Sequence, residues 1–295
     1  MSTDGAPRQD NVSETPTVTR PARALIGWLQ EDQALLVLAG QRRDASLSEE
    51  MANRARGARE AVAARPATTN QTGAVLPAPA DISLHIDRLK QFAAAKPYFD
   101  EGWYVALVDL QKICALQPHV FVDHADERAS LASSGDLESV AAVTLPISAD
   151  PNLPAQFDQI RQTWIISGRN PNLRIVGNWA GPIQPGLAGF GFAVTILPSF
   201  VQVALVEGRY ILRDGYHRAV GFLRRSMPIV PALVREFAHL EQLNMQAGLL
   251  PPSVYLGDRP PLLRDYLDDR VAASVELPAF QKMIVIPGIE LTPAG

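Results

Sequence analysis

"RYILRDGYHRAVGFLRRSMPIVP", Arg209–Pro231, sets a strand, a glycine turn and a helix in immediate succession. Upstream, "FVQVALV" reads as a strand, and Glu207–Gly208 is the two-residue link expected of a β-hairpin joining it to "RYILR". Gly215 can adopt backbone angles closed to other residues and so turn the chain sharply out of the second strand. "YHRAVGFLRR" then opens a helix anchored by Ala219, Phe222 and Leu223, and "MPIVPALVREF" supplies a further strand. Packing alone does not call for an aspartate, a histidine and an arginine at such a junction.

The first backbone N–H groups of a helix lack internal partners and its dipole favours negative charge there, which makes the turn after Gly215 a natural phosphate cradle. Arg218 adds a planar, permanently charged fork suited to phosphate oxygens. A cation is electrostatically disfavoured in a first turn, so its place there points to a bound anion. His217 can donate a hydrogen bond or transfer a proton near neutral pH. Asp214 can cap the helix or help hold a metal-bound nucleotide. Plainer readings stand beside each: Asp214 as a cap, His217 bonded to nearby backbone, Arg218 in an ion pair, Tyr216 as packing.

A chain of 295 residues with 47% hydrophobic and 20% charged residues has the composition of a soluble protein with a sizeable core. A net charge of -4 offers no global attraction to nucleic acid or anionic membrane. Cys114 is the single cysteine, which excludes an internal disulfide and a cysteine metal cage and fits a reducing, cytoplasmic setting. It reads as core rather than nucleophile. The N-terminus lacks the basic start and apolar stretch of a secretory signal. Residues 175–206 carry no charge, a run long enough to span a bilayer. Glycine and proline punctuate it, so it reads as buried strands and turns of a soluble core, with no membrane partner.

Along the chain, residues 1–20 read as a disordered tail and 21–65 as a helical segment, with "ARALIGWLQEDQALLVLAG" as its first helix and "SLSEEMANRARGAREAVAAR" as its second. Ser46 and Glu49 make a capping-box pattern for the second, whose arginine-rich surface is solvated or meets a protein partner. Residues 66–81 read as a linker. "SLHIDRLKQFAAA" is a helix, "YVALV" a strand, "VDHADERASLASS" a helix capped by Asp123, and "AQFDQIRQTWIIS" a helix. "GLAGFGF" lacks the lysine and hydroxyl of a P-loop and reads as loop and strand. Arg224 and Arg225 read as a solvated face. Residues 241–295 read as an irregular extension with one helix between Pro261 and Ala272.

"GRYILRDGYHRAVGFLRRSMPIVPALV" resembles the signature of the ParB/sulfiredoxin-like superfamily, with Gly215, His217, Arg218, Ala219 and Pro231 at the matching places. "VDLQKICALQPHVF" is similar to the family's early segment through Val108, Leu110, Lys112, Ile113, Gln117 and Pro118. The resemblance spans residues 100–236. It implies a compact α/β (α+β) domain over 82–240, with an insertion near 130–190. It also implies a nucleoside di- or triphosphate, with or without Mg2+, held by Gly215, Tyr216, His217, Arg218 and Gln117, with His217 and Asp214 as candidate catalytic groups. If the upstream alignment holds, His119 faces the same place as His217. Three departures narrow the reading. Tyr216 stands where sulfiredoxin carries its reactive cysteine, no helix-turn-helix follows Phe237, and the E-N-x-Q-R run of ParB is missing. The expectation is therefore a nucleotide-binding protein, with phosphotransfer or nucleotide hydrolysis as its possible chemistry. A DNA-associated partition-like regulator or nuclease and a non-catalytic interaction protein are the alternatives.

Overall fold

Residues 202–214 form the hairpin that the two-residue link requires: Glu207 and Gly208 take left-handed backbone angles, φ 50° and 74°, as a type I′ turn demands. The computed structural model of the chain describes residues 18–42, 48–68, 71–148, 155–168, 172–244, 248–279 and 282–287. In chain order its elements begin with β1 (Thr19–Ala24), α1 (Glu31–Leu38), α2 (Glu49–Ala63), β2 (Val75–Pro77), α3 (Ser83–Gln91) and α4 (Lys96–Asp100). Next come β3 (Tyr104–Asp109), β4 (His119–Phe121), α5 (Val122–Ser130), α6 (Leu137–Thr144), β5 (Ala155–Asp158) and β6 (Thr163–Gly168). Two long strands follow, β7 (Leu173–Gln184) and β8 (Leu187–Ile196), then β9 (Gln202–Val206), β10 (Arg209–Asp214), α7 (Tyr216–Arg224) and β11 (Ile229–Phe237). The chain closes with α8 (Pro252–Tyr255), β12 (Ala273–Pro278) and β13 (Lys282–Pro287). The class is mixed α/β.

The sheet that positions the opening stretch has five strands in the order β10-β9-β11-β3-β2. β11 runs parallel to β9, with Leu233 opposite Gln202, and antiparallel to β3, with Val230 opposite Val108. A parallel return needs a crossover, and β10 and α7 supply it. Val108, Val203, Val230 and Ala232 are fully buried, so this sheet is the centre of the core.

The N-terminal segment differs from expectation. Thr19–Ala24 is a strand joining β12 and β4 in a second sheet, and of the first expected helix only Ile26–Trp28 and Glu31–Leu38 are helical. Leu25, Ile26 and Trp28 belong to the same core as Val203, Val271 and Tyr266. The burial that suggested one helix arises instead from strand pairing with a partner about two hundred and fifty residues away, which no local periodicity records. α2 is the expected helix, capped by Ser48, whose hydroxyl accepts from the Met51 N–H at 3.2 Å; Ser46 lies outside the described residues. Arg56 is exposed as expected and Arg59 pairs with Glu31 at 2.8 Å, whereas Arg54, and Arg65 just beyond the helix, reach protein partners. Arg54 donates to the carbonyls of Asp269 and Ala272, and Arg65 pairs with Asp265 and Asp268 at 3.0 Å each. Of the expected tail, residues 1–17 lie outside the described residues. The 66–81 stretch contains β2 and the buried Gln71 and Ala74.

"AQFDQIRQTWIIS" is also not a helix. It forms β5 and β6, paired with β13, and Asp158 accepts from the backbone of Ile160 and Arg161 in the turn between them. The β-branched and aromatic run "TWIIS" prevails over the helical spacing. The uncharged run divides: its greater part is a two-stranded hairpin, β7–β8, largely exposed, whereas its end from Phe200 through β9 is buried in the core as expected. Among the described residues no helix is long and apolar enough to cross a membrane. Between Pro261 and Ala272 only Leu263–Leu267 is helical, as a 3-10 turn.

Candidate functional site

Gly215 sits at φ 95° and begins α7. A Cβ there would lie 2.9 Å from Val201 Cγ2 and 3.0 Å from its Cα, so both the backbone angle and the close strand approach require glycine. From this corner the residues of the opening stretch diverge into three directions.

Tyr216 points into the core. Its hydroxyl accepts from the Leu116 N–H at 2.7 Å and donates to the Leu212 carbonyl at 2.6 Å, locking β10 to the chain entering β4. Burial pushes the phenol far above its ordinary range, so it stays protonated. Gln117 lies on that same incoming segment, where its carbonyl accepts from the Tyr266 hydroxyl at 2.5 Å.

Arg218 and Asp214 turn the other way. The guanidinium of Arg218 is buried and donates to the carbonyls of Val143 and Ser199 and to the Ser199 hydroxyl, the last at 3.0 Å. A longer contact reaches the Thr144 carbonyl at 3.5 Å. Val143 and Thr144 end α6, whose last carbonyls need donors and whose dipole favours a cation. Arg218 is thus the C-terminal partner of α6 while standing in the first turn of α7. Burial pushes it down to about 10, still cationic at neutral pH. Asp214 accepts from the Gly215 N–H at 2.6 Å; desolvation pushes its carboxyl up, and Arg218 nearby opposes that.

His217 faces α5 and β4. Its ring stacks on His124 with centroids 4.5 Å apart and runs parallel to Phe121 at 6.3 Å. His119 makes a T-shaped contact with the same Phe121 ring, centroids 5.8 Å apart. Nε2 of His217 is buried and has no hydrogen-bond partner among the described residues. Cations surround this patch. Arg128 donates to His124 Nε2 at 3.1 Å, and Arg20 lies 5.8 Å over the Phe121 ring while pairing with Asp123 at 2.6 Å. Burial first, then His124 and Arg128, push His217 down to about 3, so its imidazole is neutral at pH 7. His119 and His124 are lowered by burial too.

The contact between α5 and α7 makes this meeting possible. A Cβ at Gly221 would lie 2.1 Å from the Ala125 carbonyl, so only glycine lets the helices cross so closely. Arg224 grips Asp126 at 2.7 and 3.1 Å and Arg225 donates to the Ala129 carbonyl. Both arginines are exposed, as a solvated face requires, and also fasten α5. "VDHADER" contributes His124 and Arg128, one turn apart on α5, and Asp123 stands in the first turn rather than as its cap. Sequence reading takes that stretch as a helix start and does not join it to His217. The i, i+4 spacing of His124 and Arg128 was the available signal. Among the described residues no group of three or more His, Cys, Asp or Glu side chains is placed to hold a metal ion. Cys114 is buried against Gln71, and burial pushes its thiol up to about 12, as a packing residue's would be.

No protein-family model, curated protein or solved structure matches the chain.

Proposed function

We propose that the chain binds a nucleoside di- or triphosphate, with the phosphates taken at the first turn of α7 and against the His217–His124–Arg128 cluster. The observation that carries this reading is the buried Nε2 of His217, without a hydrogen-bond partner among the described residues, beside two arginines at the start of a helix. An unsatisfied buried donor or acceptor is costly, and a ligand oxygen would satisfy it. The backbone N–H groups of Tyr216, His217 and Arg218 add donors that no intrahelical carbonyl can meet. Roles within the stretch are redistributed accordingly. Arg218 is a strut for α6 and Ser199 rather than a phosphate fork, and Tyr216 is a core lock. An imidazole held near 3 is a weak base, so His217 serves as a hydrogen-bonding partner rather than as the proton acceptor of a hydrolysis. Magnesium would arrive on the nucleotide phosphates, as is usual for this ion.

Thermal unfolding with ATP, ADP, CTP and GTP, with and without magnesium, tests the reading. A ligand that binds only the folded state at a hundred times its Kd adds about 2.7 kcal/mol and must raise the melting temperature. The rise is expected to vanish in His217→Leu and Arg128→Gln. A folded protein with no shift at millimolar nucleotide would overturn it. One observation favours the alternative of a non-catalytic interaction protein: Arg218 is fully occupied by protein acceptors, which explains its place without any ligand.

A further inference from the structure

The β7–β8 hairpin has no role in the site above, and its chemistry is unusual for a surface. No charged residue occurs from Ile175 to Val206. Trp179, Ile183 and Phe190 are 57%, 63% and 72% exposed, and Ile175, Val176 and Leu187 are exposed beside them. The glycines of "GFGF" explain its shape. A Cβ at Gly191 would fall 2.3 Å from the Trp179 indole nitrogen, and one at Gly189 would fall 2.5 Å from Ile183 Cδ1. Trp179 and Ile183 thus lie flat across the two glycines on one face, while Phe190 and Phe192 alternate onto the other, 6.3 Å apart.

The two edges of this ribbon are not equivalent. β7 carries Pro182 and register shifts between Ile175 and Gly177 and between Pro182 and Gln184, features that disable an edge for pairing. β8 has neither proline nor charge over Leu187–Ile196, and among the described residues no strand other than β7 pairs with it. A regular, uncharged, unpaired edge strand is a template for another strand. On β8 itself Phe190 and Phe192 are 72% and 39% exposed, so the free edge carries apolar side chains in place of the charges that guard such an edge. Lipid alone would leave the backbone groups of both edges unsatisfied, which a hydrocarbon environment does not permit.

We propose that the outer edge of β8 pairs antiparallel with β8 of a second copy of this chain. The result is a two-fold dimer with a four-stranded sheet and the Phe190 and Phe192 side chains of both copies along its centre. An isologous contact of this kind places the same strand on both sides of the axis. The inference is independent of nucleotide binding.

Light scattering on the full chain at tens of micromolar tests it. The expected mass is twice the chain's 32.0 kDa. Phe190→Lys, which sets like charges across the axis, is expected to give monomer with unchanged far-ultraviolet dichroism, as is Phe190→Glu. Mixing the two variants is expected to restore the dimer. Since Cys114 is buried, cysteines introduced singly at Ala188, Phe190, Phe192 and Val194 report the axis. Cross-linking is expected to peak at one or two neighbouring positions of the four. A monomeric wild-type chain, a monomer that sediments with phospholipid vesicles, or a dimer untouched by the Lys variant would overturn the proposal.

Discussion

Replacing Arg218 with alanine tests the division of labour within the opening stretch. The guanidinium is buried and holds two carbonyls and the Ser199 hydroxyl, with a fourth oxygen at 3.5 Å. Alanine leaves the end of α6 and Ser199 without donors and Asp214 without the cation that offsets its desolvation. Hydrogen bonds to a charged group are worth about 1.5–3 kcal/mol each, and removing one partner of a buried ionic group costs about 3–5 kcal/mol. The contacts share one side chain, so they do not add, and the expected loss is about 3–5 kcal/mol. At roughly 2–4 °C per kcal/mol for a domain of this size, the melting temperature should fall by about 6–20 °C. Urea unfolding followed by circular dichroism measures the free energy and melting follows the temperature. If Arg218→Ala loses less than about 1 kcal/mol while abolishing nucleotide binding, the strut is wrong and the phosphate fork is right.

Gly221→Ala should cost at least about 1–3 kcal/mol by overpacking, because its Cβ would meet the Ala125 carbonyl at 2.1 Å; a neutral effect in urea melts would contradict the α5–α7 crossing. Gly215→Ala should lose about 2 kcal/mol or more from the left-handed angle and the Val201 contact, and a stable variant would refute the corner. His217 falls from 6.5 to about 3 in the folded chain, so the unfolded state takes up the proton first. Its contribution is full above pH 6.5 and is lost as pH falls toward 3, by up to about 1.4 kcal/mol per pH unit. His119 and His124, also lowered, act in the same direction; Asp214, raised, acts in the opposite one. His217→Leu should flatten the acid limb of stability between pH 6.5 and 4, and an unchanged slope would contradict the burial argument.

What the sequence made legible was local. The Glu207–Gly208 turn, the strands around it, the corner at Gly215 and the helix from Tyr216 all follow from residues within one or two turns of each other, and the structure has them in place. What it hid was long-range. Thr19–Ala24 reads as part of a helix until Ala273–Pro278 is available to pair with it. The direction of Arg218 depends on where α6 ends, and the neighbours of His217 depend on a crossing that Gly221 allows. Types and spacing marked Asp214, Gly215, Tyr216, His217 and Arg218 as a group. Only the packing shows that they serve different neighbours.

The most direct test of nucleotide binding at α7 is a titration of the nitrogen-15-labelled chain with ADP, following the backbone amides. Saturable shifts of the Tyr216, His217 and Arg218 amides, absent in His217→Leu, are the result this account predicts. Amides at α7 that stay still while the protein remains folded, or shifts confined to another element, would contradict it.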